Sequence, residues 1–221
     1  MKTKEYLKRF CFGITEQTDM EGKIYDALKE INSSKSISNA GIENVEIFKG
    51  SYFYFMIVDV QTYLNLENIK NMLKQNIIMD IISSEQTFLL DRIFKKETTE
   101  NHYTEKIYNY QRSILTLELQ NDTALLEEYI EIHKPENMWP QILDNMGAIG
   151  VIDMEIYLHG YRAFLIMDVL PDFNMRKDGV RWANLPQEKE WQQYVSKFQK
   201  VNSKDKGIEK WKTMELIFGN R

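Results

Sequence analysis

The stretch that decides the fold is "GVIDMEIYLHGYRAFLIMDV", Gly150–Val169. Apolar residues run up to His159–Gly160 and away from it again, and those two residues make a turn of the kind that closes β-hairpins. The pattern occurs twice. "GIENVEIFKGSYFYFMIVDV", Gly41–Val60, aligns with it without gaps at an offset of 109 residues. The matched pairs include Gly41/Gly150, Glu46/Glu155, Tyr52/Tyr161, Phe55/Phe164 and Asp59/Asp168.

Working outward, the flanks match as well. "KRFCFGITEQ" from Lys8 resembles "QRSILTLELQ" from Gln111, and "FLLDRIF" from Phe88 resembles "KTMELIF" from Lys212. Three matches in the same order make a duplication, and a period near 110 residues means two copies of a domain rather than a solenoid. Each copy reads β-α-β-β-α-β. In the second, Leu115, Leu117 and Leu119 alternate along a first strand. A helix follows from about Thr123 to His133, with Asn121 or Asp122 available as its cap. A second helix near Glu188–Gln199 and a last strand near Thr213–Phe218 complete the unit. The first copy places its helices near Glu21–Asn32 and Glu67–Ser84. This order is the ferredoxin-like split βαβ, an antiparallel sheet with helices on one face. The other face needs cover too, and the second copy is the obvious source. The expected architecture is therefore α+β: tandem ferredoxin-like repeats, residues 1–98 and 107–221, packed as an intrachain pseudo-dimeric barrel. The polar segment "KKETTENHYTEK", Lys95–Lys106, holds the boundary.

Composition narrows the function. The chain has 221 residues, 43% of them hydrophobic, and a net charge of −5. No basic footprint for nucleic acid is present. No apolar run approaches the length that spans a bilayer, and the N-terminus lacks the apolar core of a signal peptide. The expected location is cytoplasmic. A single cysteine, Cys11, rules out an intrachain disulfide. There is no GxSxG, no Gly-rich phosphate loop and no His/Cys spacing for zinc. Neither a metal nor a cofactor is expected. His102 in the linker and His159 in the turn read as surface residues.

His133 is different. It lies four residues after Tyr129, so the two share a helix face. "HKPENMWP" then breaks the helix at Pro135 and restarts at Pro140, which turns Trp139 back toward that face. Trp191 and Tyr194, three apart on the later helix, face the same sheet. Aromatic rings take the apolar C–H face of a pyranose, while phenol and imidazole satisfy its hydroxyls. The plainer reading is that these rings are core. Against it, the first copy's equivalent helices carry neither histidine nor tryptophan, so the fold does not require them.

"RSILTLEL", "EEYIEIH", "WPQIL", "GVIDMEIYLHGYRAFLIMDV", "EWQQY" and "MELIF" together resemble the L-rhamnose mutarotase family, from Gln111 to Phe218. The resemblance implies a dimeric ferredoxin-like α+β barrel that interconverts the α and β anomers of L-rhamnose without a cofactor. It implies that His133 is the proton donor, and that Tyr129, Trp139 and Trp191 contact the sugar. Two departures fall on family contact positions: Gln192 stands in place of a second tandem tryptophan, and Met154 in place of a strand tyrosine. A third is a segment between His133 and Trp139 about two residues longer. The expected function is thus a mutarotase for L-rhamnose or a related 6-deoxy sugar, one site per chain. The alternative is a non-catalytic sugar-binding or interaction protein of the same fold. The expected partner is a monosaccharide, with the intrachain pseudo-dimer sufficient for assembly and further homo-oligomerisation left open.

Overall fold

The computed structural model describes residues 5–15, 41–51, 53–72, 87–97, 102–200 and 211–219. The expected helix near Glu21–Asn32 lies outside these residues. So does most of the one near Glu67–Ser84, of which α1 (Leu66–Met72) is described.

The strands are β1 (Tyr6–Thr15), β2 (Ile42–Lys49), β3 (Phe53–Gln61), β4 (Thr87–Leu89), β5 (Asp91–Lys95), β6 (Tyr103–Glu105), β7 (Gln111–Glu118), β8 (Val151–His159), β9 (Arg162–Val169), β10 (Lys212–Thr213) and β11 (Glu215–Gly219). They form two sheets. One has the order β11-β2-β3-β1-β4, with β6 also on β1, and the other has β10-β7-β9-β8-β5. Every strand pair is antiparallel. With helices beside them the architecture is mixed α+β.

The two compact units are Met1–Leu90 with Thr99–Lys106 and Met214–Arg221, and Asp91–Thr98 with Ile107–Thr213. They cut across the spans 1–98 and 107–221 read from the sequence. The last strand expected of each copy is divided at one buried residue, Leu90 or Met214. β4 pairs in one sheet and β5, directly after it, in the other; β10 and β11 divide the same way. Alternating apolar residues are the same whichever sheet a strand joins, so sequence periodicity cannot report this. β6 lies inside the expected linker, an edge strand too short to leave a periodic signal.

The sheets share their pairing in detail. Phe218 stands opposite Ile47, and Phe94 stands opposite Ile156, each just after a bulge. β2 and β3 slip between Ile42 and Asn44, and β8 and β9 slip between Val151 and Asp153. Gly41 and Gly150 precede these slips at φ 82° and 94°, a left-handed conformation that disfavours any Cβ. Arg9 forms a bidentate pair with Asp59 across β1 and β3, and Arg112 does so with Asp168 across β7 and β9. The hairpin turn is Gly160–Tyr161, one residue later than expected, because His159 still pairs with Arg162.

In the second unit, Leu117, Leu119, Met154, Ile156, Leu158, Leu165 and Met167 belong to one buried cluster with the helices. Those helices are α2 (Thr123–Ile132), α3 (Pro140–Ala148), α4 (Met175–Ala183) and α5 (Glu188–Val195), which runs on as a 3₁₀ turn, Ser196–Phe198. α4 was not anticipated. None of its residues is buried, and Trp182 alone of them packs, partly buried, against the core cluster. Among the described residues, no helix is long and apolar enough to cross a membrane.

Candidate active site

Asp122 starts α2, its side chain accepting a hydrogen bond from the Leu125 N–H at 3.0 Å. Tyr129 and His133 then follow on the buried face, 2% and 5% exposed. His133 closes the helix. Its Nδ1–H donates to the Tyr129 carbonyl at 2.7 Å, using one of the carbonyls that a helix end leaves over. A carbonyl only accepts, so this bond fixes the tautomer and leaves Nε2 as the lone-pair nitrogen of the neutral ring.

The chain then turns. The Asn137 side-chain amide ties back to the Glu131 carbonyl at 3.0 Å and its carboxylate at 2.9 Å. α3 begins at Pro140 with Trp139 as its N-cap. On α5, Trp191 is the hub of the cluster. Its ring centroid is 5.9 Å from His133, 5.4 Å from Trp139 and 6.3 Å from Tyr194. Trp139 and Tyr194 are nearly parallel at 6.2 Å, and Tyr129 and His133 are 4.4 Å apart. The expected rings are thus gathered, though Trp139 reaches His133 through Trp191.

Met154 lies in the same buried cluster, on β8. Gln192 does not join it. One residue round the helix from Trp191, it is exposed. Two residues went unnoticed in the sequence. Phe198 meets Tyr129 and Tyr194 edge-on at 5.5 and 5.8 Å. Phe94 stands edge-on to His133 at 5.9 Å. Its alternation in "FLLDRIF" marked a strand, but nothing there shows that the strand pairs with β8.

Burial dominates the electrostatics. It pushes the His133 imidazole down to about 4, against a smaller upward effect of the bond to Tyr129. The sequence suggests titration near neutrality; in the structure the ring is neutral there, because burial disfavours the imidazolium. Burial likewise drives the Tyr129 phenol far up. The Tyr194 hydroxyl is engaged elsewhere, donating to Glu128 at 2.8 Å, a carboxylate that Lys197 also holds. The remaining polar atoms are uncommitted. Among the described residues, His133 Nε2, the Tyr129 hydroxyl and the Trp139 and Trp191 indole N–H groups carry no hydrogen bond. The cluster therefore offers an acceptor, a hydroxyl and two donors on an aromatic wall, the complement of a polyol with apolar C–H faces.

A cleft of about 320 Å³ lies elsewhere, at the N-terminal end of α2 among Glu118, Asn121, Tyr161, Arg162 and Lys200. Its two cations already share Glu118. Among the described residues, no group of three or more His, Cys, Asp or Glu side chains is placed to hold a metal ion.

Comparison with known proteins places this half among sugar mutarotases. The family model of L-rhamnose mutarotase matches residues 112–219. An L-fucose mutarotase of Xanthomonas campestris pv. campestris is 30% identical over 108 residues, 49% of this chain and 86% of that protein. A UPF0734 protein of Dictyostelium discoideum is 31% identical over 114 residues, 50% of this chain and 90% of its own. The chain belongs to the L-rhamnose mutarotase family. A solved structure of an anthrone oxidase-like protein matches 97% of this chain and 92% of its own, at 10% identity and a TM-score of 0.43. That likeness bears on neither site nor substrate.

Proposed function

We propose that the chain is a cofactor-free mutarotase acting on L-rhamnose or a related 6-deoxy sugar, with one site, in the second unit. The observation that carries this reading is the pinned imidazole: Nδ1–H held by the Tyr129 carbonyl, Nε2 uncommitted, inside a ring of aromatic side chains. Mutarotation moves one proton from the anomeric hydroxyl and delivers one to the ring oxygen. The C1–O5 bond breaks to give the open aldehyde, C1 rotates, and the ring closes on the other face. Neutral His133 takes the hydroxyl proton at Nε2. The resulting imidazolium, strongly acidic in so buried a place, returns it to the ring oxygen. Tyr129, whose phenol stays protonated, serves as a hydrogen-bonding partner of the sugar.

The 30% identity to an L-fucose mutarotase, beside the L-rhamnose mutarotase family match, supports a 6-deoxy sugar without choosing between the two. The equal strand order and register of the two sheets support tandem ferredoxin-like repeats forming a pseudo-dimeric barrel within one cytoplasmic chain. A second reading, a non-catalytic sugar binder, is favoured by Met154 and Gln192, of which neither offers the aromatic contact that the family resemblance implies. Saturation transfer between the anomeric protons of added L-rhamnose, L-fucose and L-lyxose separates the two. Enhanced exchange with one sugar is expected. Binding without any enhanced exchange would leave the binder.

A further inference from the structure

Of the six buried carboxylates among the described residues, Asp59, Asp153, Glu155 and Asp168 each face an arginine or lysine. Glu188 is as deeply buried, 2% exposed, and its side-chain partners among the described residues are neutral. Its Oε1 accepts from the Trp182 indole N–H at 2.8 Å and from the Asn145 amide at 3.0 Å. The same Asn145 amide donates to the Pro186 carbonyl at 2.8 Å, and Gln141 donates to the Asn145 side-chain oxygen at 2.9 Å. Burial raises the Glu188 carboxyl above its ordinary range. A carboxylate in such a place needs a reason, since an apolar residue avoids the desolvation.

The reason lies in what the bonds join. Asn145 is on α3, Trp182 on α4 and Glu188 at the start of α5. α3 opens on Trp139, and α5 carries Trp191 one turn beyond Glu188 and Tyr194 a further turn on. One oxygen atom therefore fixes the mutual placing of the helices that supply the aromatic wall. Trp182 is spent in this role, its N–H committed, whereas the Trp139 and Trp191 N–H groups are not. An apolar side chain at 188 would leave two donors without an acceptor and release α3 from α5.

We propose that Glu188 is a positioning residue of the sugar site, holding Trp139 and Trp191 in their edge-to-face contact through Asn145 and Trp182. This rests on the mutarotase reading for its kinetic consequences only. The test uses the full chain and the variants Glu188→Leu, Glu188→Gln and Trp182→Phe, the last removing the N–H and keeping a ring. With L-rhamnose, Glu188→Leu is expected to raise KM on the order of tenfold with kcat nearly unchanged. Glu188→Gln, which keeps an acceptor oxygen, restores the parent KM, and Trp182→Phe gives part of the rise. Near-UV circular dichroism reads the coupled indoles without any sugar. The parent signal should be lost in Glu188→Leu and regained in Glu188→Gln, so the proposal is tested even if L-rhamnose proves not to be a substrate. A folded Glu188→Leu with parental KM and dichroism overturns the proposal, as does a fall in kcat alone. If Glu188→Leu fails to fold, an unchanged dichroism and KM in Trp182→Phe overturn it instead.

Discussion

His133 is 5% exposed, and among the described residues no charged neighbour compensates a proton on it. Two consequences follow at the level of this residue. Its folded value, about 4, lies below the 6.5 of the free side chain. The native state therefore binds fewer protons than the unfolded chain between those values. Stability from this group is fully present above pH 6.5 and is lost as pH falls toward 4, on the order of 3 kcal/mol in all. Thermal denaturation should show that loss for the parent and a flatter profile for His133→Ala. The kinetic consequence is an acid limb of anomer exchange near pH 4, not near 6.5. His133→Ala should lower exchange by roughly 10²–10⁴ while the protein stays folded. Exchange at the parental rate would remove His133 from the mechanism. Trp191→Ala should act mainly on sugar affinity, because the indole offers area and a donor but no transferable proton. Glu188 has the opposite sign. Its raised carboxyl favours the native state most below the ordinary carboxylate range, and that advantage fades as pH rises. Glu188→Gln should therefore gain in melting temperature over the parent on going from pH 4.5 to 8.

At the scale of elements, β5 repays attention. Its bulge between Arg92 and Phe94 lets Arg92 reach Glu155 on one face while Phe94 joins the His133 cluster on the other. Lys95 adds ion pairs to Asp153 and Glu155, and the Tyr157 hydroxyl donates to Glu155 at 2.7 Å. Arg92→Ala removes one of the two cations that face the buried Glu155, and with Lys95 and Tyr157 still in place a loss of about 1.5–3 kcal/mol is expected in urea unfolding. Phe94→Ser should shift the His133 titration upward by admitting water, measured from its imidazole ¹⁵N resonances. This element also shows where sequence reading stops. The shared helix face of Tyr129 and His133, a helix that stops short of Pro135 and a Trp139 turned back onto the aromatic cluster follow from local rules of periodicity and capping, and the structure has them. Phe94 could be recognised as a strand residue but not as a neighbour of His133. Strand pairing is a choice among edges, and sequence alternation is silent about it. Gln192 lies outside the cluster for another reason: it entered by analogy with a tandem tryptophan, and one residue round a helix is a rotation of about 100°.

For the whole molecule, the decisive test is division of the chain. A fragment from Tyr110 to Arg221 retains the helices of the site but lacks β5, so the outer edge of β8 is left unpaired. Open edges seek strands. The fragment holds a substitute, since β11 in the other sheet has the register of β5, with Phe218 opposite Ile47 as Phe94 is opposite Ile156. Light scattering should find it dimeric or aggregated. A strictly monomeric, folded and active fragment would show that β5 is dispensable.

The placing of β11 also bears on how the chain is made. Domains ordinarily mature from the N-terminus as they leave the ribosome. Here the sheet built from β1, β2 and β3 waits for Glu215–Gly219, whereas the sheet of the second unit has all its described strands by Thr213. The half synthesised first is thus the last to be completed. Chains truncated just after Thr213 and released should hold a protected second sheet and a protease-sensitive first one.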